Sequence, residues 1–403
     1  MKRILIIETE YTGHYLPGYI LYVLRSFKNQ DIHITLLTSI EATKKAKEAI
    51  EILRKENIPF NIDVIKNVNA KNYSSINLFM AQVKFFFEIK KKFKSLNSYS
   101  KIDHVFLASI QKFDKAMVIF GSPFCNTFFS GIFLGAKFHL KSFGIHQVSR
   151  YNYLSKFFFK QLLKISKLTK IITNDHLLKK YIISKKWKNS EKLIFLHDPK
   201  EFNYNSNKLS SRNKLKLPKK SILILVYGAL IDSKGIIELL SIFSNSKLQK
   251  DIRVILAGKQ LGNIKNYLAK NNFVQKLKSN KKIYIFDNWI NEEMESHLFT
   301  ASDIVWIGYK NYSSPSGVLY QAVHKCLLIL ISNNGLINHL NKEIKIACPV
   351  NICDSLSIIK GINFVLDTKN RKKFIKNINK FSKTADCKKW VSNFKRAHSK
   401  LYF

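Results

Sequence analysis

Several short stretches hold residues whose types and spacing could bind and move an anionic group. Ser313-Ser314-Pro315-Ser316-Gly317 lies between an apolar run, Asp303 to Tyr309, and an apolar-periodic segment that reaches about Lys325. A second apolar run, Leu327 to Ile331, follows and closes on Ser332-Asn333-Asn334-Gly335. Strand, serine-rich loop, helix and strand make one parallel βαβ unit. The loop at the carboxyl end of such a strand faces the ligand crevice. A helix that opens at Ser316-Gly317 offers free backbone N–H groups there, which favour an anion such as a diphosphate. Three further places share this geometry. Ser221 to Tyr227 runs into Gly228-Ala229-Leu230-Ile231-Asp232-Ser233-Lys234-Gly235, and Lys234 can serve as a point charge for phosphate. Arg3 to Ile7 runs into a loop with Gly13 and His14, ahead of a helix opening near Pro17. Phe138 to Ile145 reads as a strand that delivers Gly144, His146 and Arg150 to its carboxyl end.

The elements that must position these residues alternate along the whole chain. Strand runs are expected at Ile32 to Leu37, Ile62 to Ile65, Asp103 to Ala108, Ile171 to Asn174 and Leu193 to Leu196, and again at Ile252 to Gly258 (beside Lys259) and Ile283 to Phe286. Asp175 and Asn291 stand where helix N-caps belong. The stretch 200–220 is polar, rich in Asn, Ser and Lys and has little periodicity, so it reads as an interdomain connection. The expected organisation is a first α/β domain 1–199, the connection 200–220, a second α/β domain 221–385, and a helical C-terminal segment 386–403.

With these pieces in place the chain resembles the GT-B glycosyltransferases, especially the retaining family-four type. The resemblance rests on Gly308-Tyr309, Ser313-Ser314-Pro315-Ser316-Gly317, Gln321-Ala322 and Asn334-Gly335, and on Gly228, Lys234 and Gly235. It implies two Rossmann-like, doubly wound α/β domains facing across a cleft, 1–199 on the acceptor side and 221–385 for the nucleotide sugar, with the C-terminal helix 386–403 returning to the first domain. It further implies a nucleotide-diphosphate sugar donor, UDP-sugar first and GDP-sugar second, transferred with retention and without a metal. Gly228, Lys234, Gly258, Tyr309, Ser313, Ser314, Ser316, Gly317 and Gln321 would then line the donor site. His146 would reach the donor's sugar and phosphate region as the catalytic histidine. Gly13, His14 and Arg150 would face the phosphates or the acceptor. Two departures stand out. Ser313 and Gln321 occupy positions where many relatives carry glutamates, and Ala229 stands where an arginine is usual. Gln321 can still hydrogen-bond ribose hydroxyls, but it is no carboxylate.

The totals set outer bounds. A chain of 403 residues with 46% hydrophobic residues is globular and long enough for two domains. No apolar stretch reaches the roughly 18 residues that a membrane span requires, and MKRILIIETE reads as a first strand rather than a signal peptide. A cytoplasmic protein is therefore expected, docked peripherally on the inner face of the membrane. The five cysteines lack zinc-site spacing, so reduced structural thiols are expected. A formal charge of +41 favours polyanions or an anionic membrane face. Two basic-aromatic segments bear on that choice. Met80 to Leu96 carries Phe85, Phe86, Ile89 and Phe93 at helical spacing among lysines, and Tyr151 to Leu168 repeats the theme. Each reads either as an interfacial helix or as a core helix with a solvated lysine face.

The expected activity is transfer of a sugar to a glycan or lipid-linked acceptor in bacterial cell-surface polysaccharide or lipopolysaccharide synthesis, at the inner membrane face. A non-catalytic nucleotide-sugar or glycan-binding relative is the alternative, motivated by the lost glutamates and arginine. A nucleic-acid-binding protein is the second alternative; it has charge in its favour and no motif.

Overall fold

A computed structural model of the chain describes residues 1–10, 15–65, 75–145, 150–202, 204–248 and 250–399. The chain divides into two compact units, one of residues 1–199 with 387–403 and one of residues 200–386.

The first unit holds seven parallel strands: β1 (Lys2–Glu8), β2 (Ile32–Thr38), β3 (Asn61–Val64), β4 (His104–Leu107), β5 (Phe128–Ile132), β6 (Leu168–Thr173) and β7 (Leu193–Phe195). Their order is β3-β2-β1-β4-β5-β6-β7. Strands covered on both faces read as unbroken apolar runs, which is why β1 stood out so plainly: Ile4 to Ile7 are all buried. The helix Cys387–Ala397 belongs to this unit. Its Trp390 packs against Tyr19 and Tyr22 at 6.3 and 6.2 Å between ring centroids. Phe394 meets Phe27 and Phe106.

The expected strand at Phe138–Ile145 is not formed. Leu140–Phe143 is instead a short 3-10 helix, and the sheet takes Phe128–Ile132 at this place. Two contacts decide it. His139, fully buried, puts Nε2 2.9 Å from an Asp175 carboxylate oxygen, and Phe138 stacks on Trp187. Meanwhile Gly131 admits β5 beside β4, because a Cβ there would lie 2.4 Å from the Leu107 carbonyl oxygen.

The two basic-aromatic segments also resolve. In the helix Ser75–Tyr99, the face of Phe85, Phe86, Ile89 and Phe93 is core rather than an interfacial surface. Lys92, on its flank, pairs with Asp63 at 2.8 Å. The helix Arg150–Leu162 buries Phe159 and Leu162 but leaves Tyr151, Tyr153, Leu154 and Phe157 exposed. No helix among the described residues is long and apolar enough to cross a membrane.

The second unit holds six parallel strands: β8 (Ile222–Tyr227), β9 (Ile252–Ala257), β10 (Ile283–Phe286), β11 (Ile304–Ile307), β12 (Leu328–Ser332) and β13 (Cys348–Val350). Their order is β10-β9-β8-β11-β12-β13. Both units are therefore doubly wound parallel α/β sheets, the arrangement of a GT-B fold. Residues 200–220 belong to the second unit. The helix Lys208–Lys214 lies there, Asn207 caps it through Ser210 N–H, and its Arg212 is buried. Asp175 and Asn291 do cap their helices, accepting from Leu177 and Leu178 N–H and from Met294 N–H.

Candidate active site

In the second unit the carboxyl ends of β8, β9 and β11 meet on glycines, because nothing larger fits between the chains. Gly258 has φ +137°, and a Cβ on it would lie 2.1 Å from the Gly228 carbonyl oxygen. Gly235, at φ +65°, would bring a Cβ 2.1 Å from the Gly308 carbonyl oxygen. The loop after β8 is thus laid directly on the loop after β11. The buried Trp306 fastens it, donating from Nε1 to the Lys234 carbonyl at 3.0 Å. Lys310 N–H adds a bond to the Ser233 carbonyl at 2.8 Å.

This double fastening fixes the Lys234 ammonium. It donates to the Tyr227 carbonyl at 2.8 Å and to the Tyr309 hydroxyl at 3.0 Å, and sits 4.5 Å from the Tyr309 ring centroid. Ser316 Oγ lies 3.5 Å from the same hydroxyl. The helix Gly317–His324 starts there without a side-chain cap, and the space above Gly317 is open. A cation beside an uncapped helix N-terminus favours an anion. Ser313 and Ser314 are half-buried in the loop leading to it. Lys234, Gly228, Tyr309, Ser316 and Gly317 are therefore brought to one end of one sheet, and Gly258 supports them from the neighbouring strand.

Gln321, one turn into that helix, is turned toward Glu295 and donates its amide to that carboxylate. Glu295 is buried on the helix Glu292–Ala301 and also accepts from the Tyr227 hydroxyl at 2.7 Å and the Lys200 ammonium at 2.6 Å. Burial, and next the Glu295 carboxylate, hold the Tyr227 phenol well above its usual range. The sequence places the Asn291 cap of this helix but does not single out Glu295. Its signal is spacing: Glu295 shares the inward face with Leu298 and Phe299. A charge on an apolar face calls for a buried partner.

In the first unit, Glu8 ends β1, buried, with burial pushing its carboxyl up to about 8 despite nearby Lys112. Lys112 bonds Thr9 Oγ1 at 2.8 Å and pairs with Glu10 at 3.2 Å. Gly13, His14 and His146 lie outside the described residues, and Arg150 opens the helix Arg150–Leu162. The strand expected to deliver His146 and Arg150 is the one replaced by the turn at Leu140–Phe143. Among the described residues, no group of three or more His, Cys, Asp and Glu side chains is placed to hold a metal ion.

Residues 207–381 match the family model described as glycosyl transferases group 1. Comparison with curated proteins finds no match. Solved structures of similar fold include the Anabaena protein HepE in complex with UDP and glucose, with TM-score 0.68, 13% identity and all of both chains covered. A glycosyltransferase from Rickettsia africae has TM-score 0.66 at 16% identity, covering 99% of this chain and 98% of its own. Sucrose-phosphate synthase from Thermosynechococcus elongatus has TM-score 0.71 at 13% identity, covering 100% and 99%. At these identities the likeness is one of fold. A glycosyl transferases group 1 domain thus spans residues 207–381 of a chain with the GT-B fold, and the protein is a glycosyltransferase.

Proposed function

We propose that the protein transfers a sugar, with retention, from a nucleoside diphosphate donor to a glycan or lipid-linked acceptor in bacterial surface-polysaccharide synthesis. The observation that carries the donor half is the Lys234 ammonium, pinned between the Tyr227 carbonyl and the Tyr309 hydroxyl beside the open helix start at Gly317. A cation held there neutralises the diphosphate as the glycosidic bond breaks, and it does so without reorganising. UDP-sugars rank first, since HepE has been solved with UDP and with UDP-glucose. Thermal-shift screening against UDP-, GDP-, ADP- and CMP-sugars tests the donor. NMR of the product's anomeric configuration then tests retention. Lys234→Ala is expected to weaken donor binding by about 1.5–3 kcal/mol, the range for hydrogen bonds to charged groups. An unchanged dissociation constant would remove Lys234 from the site.

The acceptor half is read from a surface of the first unit. With its aromatic face in the core, the helix Ser75–Tyr99 exposes Met80, Lys84, Phe87, Lys91 and Lys94, which share one stripe at helical spacing. Phe87 lies 5.5 Å from the exposed Phe120, and Lys115 reaches over the ring of Tyr151 at 5.6 Å. Exposed Leu154 and Phe157 extend the patch. Apolar side chains among lysines suit an anionic bilayer, where each lysine contributes roughly 1 kcal/mol. The protein is expected to co-sediment with anionic but not neutral vesicles. Lys84→Glu with Lys91→Glu, or Phe87→Ser with Phe157→Ser, should abolish this. Indifference to anionic vesicles at low salt would remove the membrane from the proposal.

A further inference from the structure

We infer that the second unit holds an extended glycan whose sugars carry carboxylates, in a groove along the helix Thr368–Ser382. The inference rests on the glycan-acceptor reading above and deepens it by giving that glycan a charge.

The helix is fixed on one face and open on another. Ile378 and Phe381 are buried, and Phe381 lies 6.2 Å from Tyr320 between ring centroids. Asp367 caps the first turn, accepting from Lys369 and Asn370 N–H. On the adjoining face opens a groove of about 910 Å³, lined by half-buried Leu366 and Ile375 and by exposed Arg371, Lys372, Lys376 and Lys380. Lys383 continues the row past the helix end. Residues 368–385 hold seven cations and no carboxylate. None of the seven side chains has an ion-pair or hydrogen-bonding partner among the described residues. Lys372, Lys376 and Lys380 follow one another at the i, i+4 spacing where like charges destabilise a helix. The fold keeps this repulsion on a well-anchored element, and an anion in the groove relieves it.

The length and chemistry of the row select the occupant. Each i, i+4 step advances about 6 Å along the helix axis, and the row from Lys372 to Lys383 extends about 17 Å. It therefore matches a chain of repeating anions better than a single one. Its guanidinium and ammonium groups only donate, and so does the free end of the Asn379 amide, whose Oδ1 accepts from Cys326 Sγ at 2.9 Å. Carboxylates only accept, and a guanidinium takes one bidentately. Other anionic partners lack what they need here. No aromatic ring among the described residues lines the groove for a base to stack on, as single-stranded nucleic acid requires. Leu366 and Ile375 are too few to seat the apolar face of a partner helix. Being half-buried, they do not project as a bilayer contact must. An acidic glycan needs none of these features.

Calorimetry on the full chain at low salt tests this with hexagalacturonate, beside galacturonate, maltohexaose, oligothymidylate and phosphatidylglycerol vesicles. Hexagalacturonate is expected to bind about tenfold or more tightly than galacturonate, and maltohexaose not to bind. K372E/K376E/K380E should weaken hexagalacturonate by about tenfold or more, the loss of at least one hydrogen bond to a charged group. K265E/K270E/K276E makes the same charge change on exposed lysines elsewhere in the second unit, and should weaken it by about threefold or less. If the groove variant does not fold, K372Q/K376Q/K380Q against K265Q/K270Q/K276Q decides by the same comparison. Absence of hexagalacturonate binding, equal binding of maltohexaose, or equal loss in both sets of variants overturns the inference. Tighter binding of oligothymidylate overturns it too, as does vesicle binding that the groove variant alone abolishes. Sugar transfer to a neutral glycan without hexagalacturonate binding would remove the groove and keep the glycan-acceptor reading. Groove binding with transfer only to acceptors that are not glycans would remove that reading and keep the groove.

Discussion

Arg212→Ala is expected to cost the second unit about 3–5 kcal/mol of stability, the range for removing one partner of a buried charge pair. Arg212 lies in the stretch whose composition reads as a connection, yet its whole guanidinium is engaged. Nε donates to the Ala301 carbonyl at 2.9 Å, and Nη1 reaches the carbonyls of Pro218, Lys219 and Ser221 at 3.2, 2.6 and 3.1 Å. Nη2 meets the Asp303 carboxylate at 2.8 Å, which in turn accepts from Leu223 N–H at the start of β8. One side chain thus ties the chain entering β8 to the turn entering β11. Alanine removes the donor to four backbone carbonyls, while the part-buried Asp303 keeps Lys208 and Leu223 N–H. Arg212→Lys keeps the charge but not the five-donor fork, so it should fall between. Urea unfolding of the full chain measures this on the transition of the second unit. A loss below about 1 kcal/mol, the level of an exposed pair, would show that the network is dispensable.

The second large effect is a pH dependence. Burial raises the Glu8 carboxyl from its ordinary value of 4.5 to about 8, with Lys112 only partly opposing it. Between those values the folded chain keeps a proton that the unfolded chain releases. Stability from this group is therefore full below about pH 4.5 and is lost as pH rises toward about 8. The slope is about 1.4 kcal/mol per pH unit, or about 3 kcal/mol from pH 5 to pH 7. Asp114, raised to about 6 mainly by burial, acts in the same direction over the lower part of that window. Glu8→Gln removes the titration while keeping the shape, so the variant should lack the Glu8 share of the decline. Denaturant unfolding of both proteins at pH 5, 6, 7 and 8 checks it. Parallel curves would mean that Glu8 titrates as an ordinary carboxyl.

By itself the sequence determined the alternation of parallel strands and helices, and with it the doubly wound class. The reason is local. Strands buried on both faces are unbroken apolar runs such as those of β1, β8, β9 and β12, and each exits on a glycine or a polar turn. The open helix start at Ser316-Gly317 was legible for the same reason, since loop and helix adjoin in the chain. Tertiary structure decided whatever depends on partners far apart in sequence. Phe128–Ile132, with Ser and Gly inside it, is a weaker strand pattern than Phe138–Ile145; it is a strand because Gly131 alone lets the chain lie against Leu107. The aromatic stripe of Phe85, Phe86, Ile89 and Phe93 suits a membrane or a core equally well, and only packing against Phe113 and Phe124 made it core. Gln321 and Glu295 stand 26 positions apart, as Arg212 and Asp303 stand 91 apart. A polar side chain does not announce in sequence which distant group will satisfy it; burial imposes the need for a partner, and the fold alone supplies one.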